Sequence, residues 1–316
     1  MKKLVSLLLA MAMVFALTAC GDKNPTGSTT PTNSPSQTGE PSPGTEKKYS
    51  QGVTDTTIKI ANSAATSGAY APVGVPFNAG IQAYLNMVNA SGGIDGRTIE
   101  FLHTDDEFDP VKGKAALQNF VEDEKVFAIV GHFGTPVVGA TIGDLKDYGI
   151  PSVYFATGIG QLYADHATTN EEGYNIFPVQ PIYTTEGQIM VARGVGSFNA
   201  TKIGIIYTND DAGKDMLTGA EAKCKELNIP YVAEQVTAGS ADVSAAVTAI
   251  KNSGVDFIIC AAIQATMPTI VKELAAQGNT APVITTYVNV SSAIPPLVSA
   301  DIAGKFDVYG NGWVAY

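Results

Sequence analysis

The sequence predicts an α/β protein in which two doubly wound parallel-sheet lobes are joined by a hinge. Three observations predict it. Short apolar runs alternate with amphipathic stretches along the body of the chain, and that alternation breaks off and restarts once near residue 180. The body, from Tyr49 to Tyr316, is also long for one such lobe and suits two.

Taken in order, "TIKIAN" (57–62) reads as a strand. "PFNAGIQAYLNMVNA" (76–90) reads as a helix because Phe77, Ile81, Tyr84, Leu85 and Val88 recur at helical spacing. The glycines of "GGIDGR" close that helix. "TIEFLHT" (98–104), "VFAIVGH" (126–132) and "PSVYFAT" (151–157) are further strands, separated by helical patterns near 110–123 and 136–147. Strand, helix and strand in repetition mean a parallel sheet with helices on both faces. After a joint near "NIFPVQPIYTTEG" (175–187) come "KIGIIYT" (202–208), a helix from about 213 to 227, "YVAEQVT" (231–237) and a helix over 242–253. "VDFIICAAI" (255–263), a helix over 266–277 and "PVITTY" (282–287) complete the second run. The boundaries expected are 51–178 for the first lobe and 179–308 for the second, with 309–316 starting a strand back toward the first.

The segment before the body has a different character. Lys2 and Lys3 precede an apolar run from Leu4 to Leu17, too short to span a bilayer as a helix of about 20 residues, so 1–19 reads as a secretory signal. "LTAC" (17–20) resembles the bacterial lipoprotein cleavage site. That makes Cys20 the expected lipid-modified N-terminus, the alternative being a cysteine that falls by chance near an ordinary cleavage site. Residues 21–48 contain no aliphatic, aromatic or sulfur side chain, and nothing there can offset the entropy of ordering. With Cys20, the stretch 20–50 reads as a leash with an end-to-end distance of roughly 30 Å. The expected location is outside the cytoplasm, tethered to the cell membrane through lipid only.

A net charge of −11 and a pI near 4.7, with no basic run, argue against nucleic acid or an anionic membrane face as partner. Cys224 and Cys260 read as buried thiols that could also bridge, and neither has metal-ligand spacing.

Ligands of doubly wound sheets sit beyond the carboxyl ends of the strands. The candidate positions are therefore Ser67 to Tyr70, Gly134 to Thr135, Ala156 to Gly158, Asn209 to Ala212, Ile263 to Thr266 and Tyr287 to Ser291. Thr135, at the start of a helix, reads equally as a ligand contact and as a plain N-cap. No Walker A run, GxSxG or HExxH occurs. His103, His132 and His166 are scattered. "HTDDEFDP" (103–110) lacks the glycine and final glutamate of a calcium loop and reads as a solvated turn, and "TNDDAGKD" (208–215) reads as turn and capping residues. The chain is expected to be a binder rather than an enzyme, with no cofactor and no metal.

Several stretches together resemble the type 1 periplasmic binding proteins of ABC importers, specifically the branched-chain amino-acid (Leu/Ile/Val) binding family. They are "IKIANSAATSGAYAPVGVPFNAGIQAYLNMVNASGGIDGRTIEFLHTDDEFDP", "VFAIVGHFGTPVVGA", "GIPSVYFATG", "IYTNDDAGKD" and "SGVDFIICAA". The resemblance runs in order over nearly all of 57–316. It implies two Rossmann-like lobes on a hinge, closing as a monomer around one small solute, an amino acid or a related carboxylate or amide, which an ABC permease then receives. A receptor's ligand-sensing module of the same fold is the alternative. Among the cleft positions, Tyr70 belongs to the expected contact set. The family's carboxylate-holding hydroxyl falls on Thr135, and its second strand-end contact on Ala156, Thr157 or Gly158. The tyrosine that lies against the ligand falls on Ile263, with Gln264 beside it, and the glutamate that accepts the ligand's ammonium falls on Tyr287. A buried ammonium without its carboxylate loses on the order of 3–5 kcal/mol, roughly two to three decades of affinity. Either another acid such as Asp210 or Asp211 replaces it, or the ligand lacks an α-ammonium. By the same resemblance the C-terminal part of the first lobe is missing after "FDVYGNGWVAY" (306–316), which would leave apolar surface uncovered.

Overall fold

The structure, a computed structural model, describes residues 49–164 and 174–312. The signal segment, Cys20, nearly all of the leash, His166 and residues 313–316 lie outside the described residues.

The first lobe contains strands β1 (Thr57–Ala64), β2 (Thr98–Asp105), β3 (Ala128–Val130), β4 (Ser152–Val153) and β5 (Ile176–Phe177). Its helices are α1 (Ala71–Ala90), α2 (Pro110–Gln118), α3 (Thr135–Tyr148) and the single turn α4 (Gln161–Ala164). The second lobe opens with helix α5 (Tyr183–Phe198), followed by β6 (Ile203–Thr208), α6 (Asp211–Leu227), β7 (Tyr231–Val236) and α7 (Ser244–Asn252). It continues with β8 (Phe257–Ala261), α8 (Met267–Ala276), β9 (Val283–Thr285), α9 (Pro295–Ile302) and β10 (Val308–Gly310). The sheet orders are β2-β1-β3-β4-β5 and β10-β9-β8-β6-β7. Every pairing within them is parallel. Read from its first two strands outward, each half has the same order and the same switch point.

Position in the sheet explains strand composition. The central strands β6 and β8 are covered on both faces, so "IGIIYT" and "FIICA" are apolar almost throughout. The edge strand β2 alternates "TIEFLHTD" instead. Ile258, Cys260, Val247, Ile270 and Leu274 form the core on one face of the second sheet, and Ile203, Ile205, Ile259, Met190 and Met216 the core on the other. In the first lobe Ala61, Leu117, Phe120, Ile129, Val138 and Leu145 pack together.

Helix ends follow local chemistry. Asp109 caps α2 by accepting from Val111 N at 2.7 Å and Lys112 N at 3.1 Å. The left-handed Gly149 (φ 67°) ends α3. Helix α1 starts at Ala71, five residues before the sequence pattern suggested, with Pro72 in its first turn, where the missing N–H has no helical partner. Cys224 and Cys260 are free and buried, and burial pushes their thiols up to about 11 and about 12. Among the described residues no helix is long and apolar enough to cross a membrane.

Candidate functional site

Segments beyond the carboxyl ends of strands in both sheets converge on one cavity of about 270 Å³. The first lobe supplies Tyr70, Pro72, Val73, Pro76 and Phe77 after β1, Phe108 after β2, Phe133 to Thr135 after β3, and Ala156 after β4. Gln180 and Tyr183 come from the joint between the lobes. Ile263 and Gln264 follow β8, and Tyr287, Val288, Val290 and Ser291 follow β9. None of these side chains is ionised at neutral pH.

The aromatic wall is built locally. After β2 the chain turns through left-handed conformations at Glu107 (φ 53°) and Phe108 (φ 66°). The turn is held by Asp105 Oδ1, which accepts from Glu107 N at 3.0 Å, and by Asp106 Oδ1, which accepts from Phe108 N at 2.9 Å. It delivers the Phe108 ring onto Tyr70, with centroids 3.6 Å apart and planes 16° apart. The same ring lies over Gly134 (φ 94°), where an added Cβ would come within 2.6 Å of Phe108 Cε2. A side chain there would meet both a left-handed backbone and the ring. Tyr70 and Phe108 also pack against the second lobe's core, so this pair bridges the two halves.

The acidic turn is occupied by these structural tasks. Asp106 also hydrogen-bonds the buried Ser63 hydroxyl, and Asp109 is the α2 cap. Among the described residues no three His, Cys, Asp or Glu side chains converge as metal ligands. His103 bonds with Asn62, Asn78 and Thr66. His132 is fully buried against Thr141 at 2.9 Å, and burial lowers its pKa to about 4.

Of the residues singled out in the sequence, Tyr70, Gly134, Thr135, Ala156, Ile263, Gln264, Tyr287, Val288, Val290 and Ser291 line the cavity, whereas Thr157 and Gly158 do not and instead touch the lining residues Thr135 and Tyr287. Thr135 is the first helical residue of α3 rather than its cap. Its hydroxyl bonds Thr157 Oγ1 at 2.8 Å. Burial pushes the Tyr183 phenol up, and the Thr135 and Thr157 hydroxyls beside it offset that only in part. Gly158 sits against the joint: an added Cβ would meet Pro181 O at 2.3 Å and Tyr287 Oη at 2.7 Å. Tyr287 Oη in turn donates to Gln180 Oε1 and Pro181 O, each at 3.2 Å, and burial beside Tyr183 and Glu186 raises its pKa.

Asp210 and Asp211 do not line the cavity. Asp210 Oδ1 accepts from Gly213 N at 2.9 Å and from the Thr208 hydroxyl at 2.7 Å, which makes it the α6 cap. Val73, Phe77, Phe108, Phe133, Gln180 and Tyr183 were not singled out as contacts in the sequence. Phe77 could have been, because the strand-end rule covers the start of the helix after β1.

The profile of the periplasmic binding protein family matches residues 57–304. The chain belongs to the periplasmic binding protein family. Among curated relatives of this family it is similar to the Leu/Ile/Val-binding protein homolog 2 of Brucella abortus. They are 23% identical over 260 residues, covering 82% of this chain and 68% of the relative. Among solved structures it is similar to the branched-chain amino acid transporter substrate binding protein LivJ from Streptococcus pneumoniae in complex with isoleucine. The TM-score is 0.68 at 23% identity, covering 79% of this chain and 70% of that one. It is likewise similar to a fatty acid ABC transporter substrate-binding protein from Thermomonospora curvata. There the TM-score is 0.65 at 23% identity, covering 83% and 65% of the two chains. The chain thus spans about two thirds of the length of these family members. The two-lobed parallel fold is the one they share.

Proposed function

We propose that this periplasmic binding protein is a solute carrier outside the cytoplasm, tethered through a lipid on Cys20, that closes its two lobes on one small ligand and passes it to an ABC permease. The observation that carries the reading is the shared cavity, with walls from strand ends of both sheets. Each lobe supplies only part of the contacts, so ligand binding favours the closed arrangement and shifts the population toward it.

The ligand we infer is a small molecule without an α-ammonium. The cavity wall carries no carboxylate, Tyr287 stands where the resemblance puts the ammonium acceptor, and Asp210 is engaged as a helix cap. At the start of α3 the Gly134 N–H is spent on Ala156 O at 3.2 Å, so the Thr135 N–H is the donor left for an acceptor on the ligand, and the aromatic side chains take its apolar part. Thermal-shift measurement of the chain against amino acids, amides, urea-like molecules and aromatic or aliphatic acids tests carriage, since a ligand held only by the folded state raises the melting temperature. Calorimetry with leucine, isoleucine and valine tests the ligand class. Sub-micromolar binding of any of the three overturns the proposal that the ligand lacks an ammonium.

A further inference from the structure

Gln264 lies beyond β8 on the cavity wall and is only 8% exposed. Its side-chain oxygen is buried without a hydrogen-bond partner, and among the described residues no protein group pairs with its amide nitrogen. Buried polar groups are almost always paired, so an idle carboxamide on a ligand cavity calls for an external partner. The backbone is built to hold it there. Gln264 has a φ of 29°, a conformation unfavourable for a residue with a side chain. Its N–H donates to Asn289 Oδ1 at 2.7 Å. Asn289, itself buried, is fixed by donating from Nδ2 to Ala262 O at 2.8 Å and to Thr285 Oγ1 at 2.7 Å. A conformation that the surrounding structure enforces in this way, at a cavity wall, is what a ligand-reading residue requires.

Building on the carrier reading, we propose that Gln264 is a specificity-determining residue that selects ligands with a neutral amide-type edge, an N–H donor beside a C=O acceptor, over carboxylates and ammonium compounds. A carboxamide can exchange two hydrogen bonds with such an edge, donating from Nε2 and accepting at Oε1. A carboxylate offers acceptors only, so its second oxygen would oppose the glutamine oxygen. An ammonium offers donors only, and its charge would lie in a cavity wall that contains no anion. The rings of Tyr70, Phe77, Phe108 and Phe133 around the same space suit a flat apolar body next to that edge. The ligand class is therefore primary carboxamides, ureas and lactams small enough for about 270 Å³.

Three probes of one shape test this by calorimetry on the full chain: benzamide, benzoate and benzylamine. Benzamide is expected to bind at least about tenfold more tightly than either, since a site built for a hydrogen-bonding group rejects analogues lacking it. Gln264→Met, similar in length but unable to pair, should bring the three affinities within about threefold of one another. Gln264→Glu should turn the preference toward benzylamine, and it serves as the readout if the methionine variant fails to fold by circular dichroism. Benzoate or benzylamine matching benzamide in the parent chain overturns the proposal, as does a ratio unchanged in a folded variant. Leucine and hexanoate, run alongside, separate this inference from the carrier reading. Binding of either without benzamide sinks the role of Gln264 and leaves a carrier, whereas no binding of any probe counts against both.

Discussion

Glu186 is 2% exposed, and its carboxyl ties three segments together. Oε1 accepts from Tyr287 N at 2.7 Å and from Asn311 Nδ2 at 3.2 Å, and Oε2 accepts from the Thr286 hydroxyl at 2.7 Å. Burial outweighs these donors and pushes the carboxyl up to about 7. Between about pH 4.5 and pH 7 the folded chain keeps a proton that the unfolded chain has released. Stability from this group is therefore full below that window, falls as pH rises through it, and levels off above. The loss is on the order of 3 kcal/mol. In Glu186→Gln, the decline in melting temperature from pH 5 to pH 8 should be visibly smaller than in the parent; parallel declines would show that Glu186 is not the group responsible. Single residues were unevenly legible in the sequence. Thr135, Ile263, Gln264 and Tyr287 reach the cavity as the strand-end rule requires, because a parallel strand delivers whatever follows it to one edge. Phe108 was not legible: the two left-handed residues that aim its ring leave no periodic trace, and "DDEF" reads only as a polar turn.

At the scale of elements, Asp210 separates capping from ligand binding. Asp210→Ala removes the acceptor for Gly213 N and should cost about 1 kcal/mol of stability by chemical denaturation. Because Asp210 does not line the cavity, affinity for any ligand found by thermal shift should stay within about threefold, less than the factor of ten that 1.4 kcal/mol represents. A far larger loss would restore it as a ligand contact. Most strands and helices lie where the apolar spacing put them; β5, the single turn α4, α5 and α9 have no counterpart in the spacing, and β10 pairs with β9 at the edge of the second sheet rather than turning back toward the first lobe. In α5, Gly187, Gly194 and Gly196 break the helical pattern, yet two of these glycines have packing reasons. An added Cβ at Gly187 would meet Met216 O at 2.1 Å, so the gap lets α6 pack directly on the α5 backbone, and one at Gly194 would strike the Phe257 ring at 2.7 Å. In α9 the paired Pro295 and Pro296 look like a turn in sequence and occupy a first turn in structure.

The two lobes also touch away from the cavity. Gly160 N, in the first, donates to Asp215 Oδ2 on α6 of the second at 2.8 Å. This bond holds the lobes together without facing the cavity, so Asp215→Ala should weaken ligand binding indirectly by making the closed arrangement less favourable. Loss of one such bond, about 1 kcal/mol, corresponds to roughly fivefold in the dissociation constant by calorimetry. An unchanged constant would mean that the bond plays no part in closure. The cavity wall, free of ionised side chains among the described residues, has a consequence for the whole molecule. Mobile ions screen only interactions between charges. A neutral ligand seated against rings and amides should therefore be held about as tightly in dilute buffer as at physiological ionic strength, so the carrier's grip would survive ordinary swings in salinity.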